Sequence, residues 1–536
     1  MPPKPSVASD GQTDVTGLDP RGTALLLVLV AALLLLRLGT VPLLGPDEPR
    51  YARVAVEMHR SGNWVTPTLG GEPWLEKPIL YYWLAGGAFS VLGENEWAAR
   101  LPSVVAALLL VGGTALFGAR LFGRSAGLHA GFIAGTSLLV FAFGRAATMD
   151  MLLASFTTLA LGFFALGLLG IAGRLAVPVA WVCVGLATLA KGPIGVLLPV
   201  LVVGIYVAVT RRSDLARRAL SPAGLALCAL VAAPWYLLIL RDQGRAFVDV
   251  FLLNHNVERF TSTVHHHPGP VVYYLPVLLL GLFPWSGLAL PAFARLAPRR
   301  KAADLFVLAW LLAPLVFFSA AGSKLPGYVL PCVPPLALLM GRASSRLARG
   351  EDLPIWAGPR AVAIVGVALG TLVACGPLFL RRMGEPGWIL LIPTAAWTLV
   401  LVLSVSRTIG ANAAGALGLL RVGGAGLLAL LAFGAPPVLA RQQSGREVFR
   451  AARGREVLVW GAWRTAWMSG YFYDDGRVRE VHDLAAVTAA ARSGPTLVFA
   501  GPGERRRLQA VRGLTAKPLA ADVRNDTLLE VSFGAP

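Results

Sequence analysis

Residues 23–44 read TALLLVLVAALLLLRLGTVPLL, and residues 45–52 read Gly45-Pro46-Asp47-Glu48-Pro49-Arg50-Tyr51-Ala52. The first run holds a single charged residue, Arg37, and is long enough to cross a bilayer as a helix. The second run is dense in charge, and the same alternation continues down the chain. Of 536 residues, 56% are hydrophobic and 14% charged, with mean hydropathy +0.65. A soluble domain carries about 25% charged residues. Disorder, a collagen-like fibre and a purely soluble enzyme are excluded. Apolar blocks fall at 23–44, 101–122, 126–143, 149–170, 175–190, 193–210, 219–240, 271–294, 304–320, 325–342, 360–380, 387–406 and 413–440. The expectation is a polytopic α-helical membrane protein of about 13 transmembrane helices.

The net charge of +19 is concentrated in short loops: Arg211, Arg212, Arg217 and Arg218; Arg295, Arg299, Arg300 and Lys301; Arg342, Arg346, Arg349 and Arg360. Such clusters are retained on the cytoplasmic side. No separate basic face with interleaved aromatics stands apart from them, so no nucleic-acid partner is expected. The alternate loops hold Asp47, Glu48, Glu57, Glu72, Glu76, Glu94, Glu96, Asp150, Asp242, Asp249 and Glu258. With residues 1–22 as a cytoplasmic tail, an odd span count leaves the C-terminus outside. That tail has no basic leader region, and the run after it reads as an uncleaved span. Cys183, Cys228, Cys332 and Cys375 lie inside apolar blocks at no metal-ligand spacing and read as small buried hydrophobes.

The division expected is a tail at 1–22, a membrane catalytic unit at 23–440, and an outer α/β domain at 441–536. In the last part, β-rich runs at Val457–Trp460, Thr496–Phe499 and Leu528–Val531 alternate with helical stretches near 484–492 and 503–511. Its Trp460, Trp463, Trp467, Tyr471 and Tyr473 read as core and membrane seat. Two outer loops are long, at about 45–100 and 241–270. The first carries Glu76-Lys77-Pro78-Ile79-Leu80-Tyr81-Tyr82-Trp83 and amphipathic stretches suited to the headgroup level. The second carries Asn254-His255-Asn256-Val257-Glu258-Arg259. Asp150, Lys191 and the Ser323-Lys324-Leu325-Pro326 turn with Tyr328 open onto the same side. Ionisable groups gathered on one membrane face point to a site there, in keeping with a phosphate-binding cavity. His265-His266-His267 reads as a surface loop tract.

Asp47-Glu48-Pro49-Arg50-Tyr51-Ala52, the Glu76-Lys77-Pro-x-Leu-Tyr-Tyr-Trp run and Ser323-Lys324-Leu325-Pro326 resemble the bacterial aminoarabinose transferases. These are GT-C membrane glycosyltransferases, related to the protein O-mannosyltransferases. The resemblance implies a GT-C fold and transfer of a sugar, 4-amino-4-deoxy-L-arabinose, from undecaprenyl phosphate to lipid A phosphate. It places that reaction at the periplasmic face of the inner membrane and connects it with resistance to polymyxin-type peptides. It implies that Asp47 and Asp150 are the carboxylates needed for activity. Glu76 and His255 resemble a divalent-metal pair, zinc by the family pattern. Lys77 and Arg259 resemble the groups that hold the carrier phosphate. Arg50, Tyr82, Lys191 and Tyr328 resemble cavity-lining positions.

The expected chemistry is one inverting displacement at the anomeric carbon, with fixed cations meeting the charge that develops on the leaving phosphate. Asp47 is then either a base for an acceptor hydroxyl or an orienting group. Other readings are a protein O-mannosyltransferase-like enzyme, a transferase of another sugar such as a hexose or uronic acid onto a lipid or glycan, and a lipid transporter. A transporter places ionisable groups near the bilayer midplane, often within internal repeats. Here the acids sit in outer loops and no repeat is visible.

Overall fold

The computed structural model describes residues 18–258, 269–294, 302–350, 391–409 and 413–533. Helix α1 (Pro20–Leu35) opens on Pro20, a position where a missing N–H is tolerated. It ends before the apolar run does, which corrects the span read as 23–44. Arg37 takes a left-handed backbone (φ 57°) and donates to the Phe433 carbonyl at 3.3 Å. Residues 36–44 therefore form turns that lead toward Asp47.

Helix α2 (Asp47–Ser61) begins with Asp47 and Glu48 and ends with His59 and Arg60, charges that complement the helix dipole at both ends. A hairpin of β1 (Thr68–Leu69) and β2 (Glu72–Pro73) leads to α3 (Leu80–Leu92). This helix is apolar but about 20 Å long at ~1.5 Å per residue, short of a bilayer crossing. Helix α4 (Glu96–Phe122) is capped by Asn95, whose side chain accepts from the Ala98 amide at 3.0 Å.

Helices α5 (Arg124–Gly135) and α6 (Leu138–Gly144) meet at 59°. At the bend the Thr136 and Ser137 hydroxyls donate to the carbonyls of Phe132 and Ala134, in competition with the helical ladder. The block 126–143 is thus a bent pair. The block 271–294 breaks likewise, by 115°, around Pro284, which has no N–H to donate. In the block 325–342, Pro326–Cys332 is a tight turn of helix and Val333–Ala348 a regular one.

After α7 (Asp150–Leu168), α8 (Ala176–Lys191), α9 (Ile194–Thr210) and α10 (Ser213–Ala219), α11 (Pro222–Phe247) runs into what was read as the start of the second long loop. Gly244 (φ 54°) kinks it, and Val248–Glu258 continues as a wide helical turn. Among the described residues five helices are long and apolar enough to cross a membrane, or seven if each bent pair is one span. The block 360–380 lies outside the described residues. Close approach of helices depends on small residues: a side chain on Gly127 would meet the Ala119 backbone at 2.4 Å, and one on Gly341 the Ala126 carbonyl at 2.6 Å.

Residues 446–533 build a five-stranded sheet in the order β4-β3-β5-β7-β6. Its strands are β3 (Val457–Trp460), β4 (Val478–Glu480), β5 (Thr496–Ala500), β6 (Leu514–Ala521) and β7 (Thr527–Phe533). The first three in sheet order are parallel, and β7 and β6 are antiparallel additions. Alternation divides the strands. Val457, Val459, Leu497 and Phe499 face the helices at Arg446–Ala452 and Arg464–Trp467. Leu458, Trp460, Val498 and Ala500 face those at Leu484–Ser493 and Pro502–Gln509. Trp460 and Trp467 are core residues of opposite faces.

Candidate active site

A cavity of about 470 Å³ opens where the N-termini of α2 and α7, the C-terminus of α8 and the turn before α3 converge. Asp47, Glu76, Lys77, Asp150, Lys191 and Tyr328 all line it. They come from five separate stretches of chain. The rest of the wall is largely apolar, with Leu153, Ile194, Leu197, Phe251, Phe317 and Phe318 among its members. Charged groups combined with a largely apolar wall suit a ligand with a charged head and a hydrocarbon tail.

Each of the two aspartates has its own cation. Asp47 accepts from Arg50 at 2.5 Å, one helical turn on, and Arg50 also donates to the Pro46 carbonyl at 2.9 Å. The Arg50 guanidinium lies 5.4 Å from the Trp74 ring centroid, and the Trp74 indole N–H donates to the Tyr82 hydroxyl at 3.0 Å. Arg50 and Tyr82 thus stand behind the lining, Tyr82 fully buried. Burial works to lower the Arg50 pKa, but the Asp47 charge beside it prevails and the guanidinium is held more firmly protonated than usual.

Asp150 is ion-paired with Lys191. The Lys191 ammonium also lies 4.8 Å from the Tyr328 ring centroid, within cation–π range. Lys191 is the last residue of α8, where the helix dipole favours a cation. Gly327 closes this corner: a Cβ there would fall 3.0 Å from the Asp150 carboxyl carbon and 2.7 Å from the Phe143 ring.

The two aspartates are joined by a pair that the sequence reading did not single out. Arg100, 2% exposed, binds both oxygens of Glu48 at 3.1 and 2.7 Å. Its remaining donors reach the carbonyls of Leu38, Val41 and Pro42 at 2.8, 2.7 and 2.6 Å. Glu48 also accepts from the Ala147 amide at 2.5 Å, three residues before Asp150, and from the Leu44 amide at 2.6 Å. A buried ion pair persists only when its spare donors and acceptors are satisfied. Here that requirement fixes the segment before Asp47 and the segment before Asp150 to one side chain.

Tyr51 was also missed. It lines the cavity four residues after Asp47, and that i, i+4 spacing on α2 was the available signal. Burial, reinforced by the Asp47 charge, pushes its phenol well above the usual range. Arg259 and the side chain of His255 lie outside the described residues. Among the described residues no group of three His, Cys, Asp or Glu is gathered as a metal site.

The comparisons with known proteins bear on this geometry. A relative from Yersinia enterocolitica, an undecaprenyl phosphate-alpha-4-amino-4-deoxy-L-arabinose arabinosyl transferase, is 32% identical over 394 residues, 68% of this chain and 70% of its own. The chain belongs to this arabinosyl transferase family. A second member, from Erwinia tasmaniensis, is 34% identical over 340 residues, 61% of this chain and 60% of its own. The match thus spans 60% of one relative's length and 70% of the other's.

A crystal structure of ArnT from Cupriavidus metallidurans bound to undecaprenyl phosphate superposes with TM-score 0.77 at 25% identity, covering 97% of this chain and 100% of that one. Residues 76–237 match the family model described as dolichyl-phosphate-mannose-protein mannosyltransferase. As an arabinosyl transferase family member the chain is a multi-pass, mostly helical membrane protein of the GT-C glycosyltransferase fold.

Proposed function

We propose that the chain transfers 4-amino-4-deoxy-L-arabinose from undecaprenyl phosphate to a phosphate of lipid A. The observation that carries this reading is one cavity lined by Asp47, Asp150, Lys77 and Lys191 and walled by apolar side chains. The names of the arabinosyl transferase relatives support the donor, and the undecaprenyl phosphate in the ArnT structure supports the carrier. The reaction takes place on the periplasmic face of the inner membrane. In the proposed plan residues 23–440 form about thirteen spans, residues 1–22 stay in the cytoplasm and residues 441–536 stand in the periplasm.

The acceptor phosphate oxygen attacks the anomeric carbon from the face opposite the carrier. The new C–O bond forms as the bond to the carrier phosphate breaks, and that electron pair leaves with undecaprenyl phosphate, inverting the configuration. An ionised phosphate needs no base, and a phosphate leaving group needs no acid. Asp47 and Asp150 therefore act on the amino sugar, as anions that orient its hydroxyls and ammonium. Lys77 faces the leaving phosphate as a point charge, joined by Arg259, whose planar guanidinium suits multidentate phosphate binding. Tyr51 donates from α2 toward the sugar.

A divalent cation fits the donor chemistry in part. Glu76, which lines the cavity, would supply a carboxylate ligand and His255 the nitrogen. Two protein ligands would leave positions for phosphate oxygens, the chemistry expected of a zinc ion there. The test is mass spectrometry of lipid A from cells lacking and carrying the protein, supplied with undecaprenyl-phosphate aminoarabinose. The aminoarabinose mass increment is expected with the wild-type chain and absent with Asp47→Ala. Unmodified lipid A with the wild-type chain would overturn the substrate assignment.

A further inference from the structure

We infer that the C-terminal sheet unit is a working part of the transfer machinery, because Tyr473 positions the segment that carries Asp47. The inference rests on the reading of Asp47 as a group that contacts the sugar. Residues 36–46 reach α2 through turns, so their amides lack a helical ladder and each buried one requires a partner. Three consecutive amides in this segment find theirs by different routes. Leu43 donates to the Tyr473 hydroxyl at 2.7 Å, Leu44 to Glu48 at 2.6 Å, and Gly45 to the Gln443 carbonyl at 2.8 Å. Two of the three partners thus come from the far end of the chain.

Tyr473 is itself oriented. Its hydroxyl donates to Glu96 at 3.0 Å, and Glu96 is paired with Arg446 at 3.3 Å. Its ring and that of Phe472 pack against the core of the membrane unit. Further along α2 the next residues of the same segment hold on again: Asp475 accepts from Arg53 at 2.5 Å and from Arg60 at 2.6 Å. The sheet unit therefore grips the approach to Asp47 and the outer face of α2 together. Arg100 holds the same approach through the carbonyls of Leu38, Val41 and Pro42. A passive appendage would need neither contact. A misplacement of about 1 Å can lower a rate by on the order of 10²-fold.

The test uses the full chain in nanodiscs, as wild type, Tyr473→Phe, Glu96→Gln and Asp475→Asn. Two quantities are read: amide hydrogen exchange over residues 40–62, and kcat and KM for the polyprenyl-phosphate sugar donor. Removing the hydroxyl in Tyr473→Phe is expected to speed exchange at Leu43 about tenfold, as befits one lost buried hydrogen bond. It should also lower kcat about tenfold, with KM within about twofold of wild type. Glu96→Gln keeps a hydrogen-bond acceptor for Tyr473 but loses the charge, and should fall between the two. Asp475→Asn should loosen exchange over residues 50–60 and change kcat less.

Unchanged exchange at Leu43 in Tyr473→Phe overturns the inference, as does full retention of kcat or a loss confined to KM. If Tyr473→Phe fails to fold, the Glu96→Gln variant decides by the same two readouts. A wild-type chain that transfers no sugar sinks the transferase reading, and the exchange data then judge the grip alone.

Discussion

The two aspartates of the cavity are alike in sequence setting and unlike in support. Each is the first residue of a helix and each has a basic partner. The Asp150 side chain is 21% exposed, and α8, Gly327 and the Tyr328 ring enclose it. The Asp47 side chain is 49% exposed, and its cation comes from its own helix. Its position depends on what holds the residues before it, namely Arg100, the Gln443 carbonyl and the Tyr473 hydroxyl of the C-terminal sheet unit. The difference teaches that one end of the site is built into the membrane bundle. The other is suspended between two units.

The largest expected effect removes the Glu48–Arg100 pair, which ties the two ends together. Replacing Arg100 by Met leaves Glu48 buried without its cation, a loss of about 3–5 kcal/mol. Thermal unfolding in detergent should show it, and a variant as stable as wild type would deny that the pair holds the two ends together. Next come the carboxylates themselves. Asp47→Asn and Asp150→Asn should each lower kcat by roughly 10²–10³-fold, the usual magnitude for one preorganised charge. If Asp150→Asn alone were silent, the better-enclosed carboxylate would be structural and the comparison would have to be redrawn.

A smaller effect tests the enclosure of Asp150. Gly327→Ala must push Phe143 or the Asp150 carboxyl aside, and overpacking of this kind costs about 1–3 kcal/mol. A drop in kcat with the exchange pattern of α2 unchanged is expected. A variant that loosens residues 40–50 instead would show that the two ends are not independently supported.

The last effect, a dependence on pH, concerns the suspended end. Asp474, next to the gripping Asp475, is 2% exposed, and burial raises its carboxyl to about 7. The folded unit binds this proton more tightly than the unfolded chain does, so stability falls as pH rises from about 4 to about 7. Unfolding of the sheet unit followed over that range should show the decline, and Asp474→Asn should flatten it. An identical slope in both proteins would assign the dependence to other groups.

Part of the site was legible because it is written locally. Asp47, Glu76 and Lys77 sit in short charged motifs between apolar runs, and Asp150, Lys191 and Tyr328 stand at the mouths of apolar blocks. The structure brings these six to one cavity. Glu48 and Arg100 were not singled out, because a buried ion pair and two loop charges look the same along a chain. Gly327 gave no signal either, since a glycine needed for space cannot be told by sequence from one needed for a turn. In the C-terminal part, strands with strong β-formers were readable, whereas β4 and the edge strand β6, with its Lys517 and Pro518, were not. The bends at residues 136–137 and at Pro284 escaped the block reading, because apolar runs record solvent preference and not direction.

What this sequence determined by itself is the solvent and the class of structure. An apolar run must satisfy its own backbone hydrogen bonds inside a bilayer, and a helix is the local way to do so. Length and composition were therefore enough. Which charges meet was decided only by tertiary structure. Asp150 finds Lys191 41 positions away, and Leu43 finds Tyr473 430 positions away. Such partners are selected by the packing of helices through small residues and by the requirement that buried amides and charges be satisfied. Neither condition exists until the chain has folded.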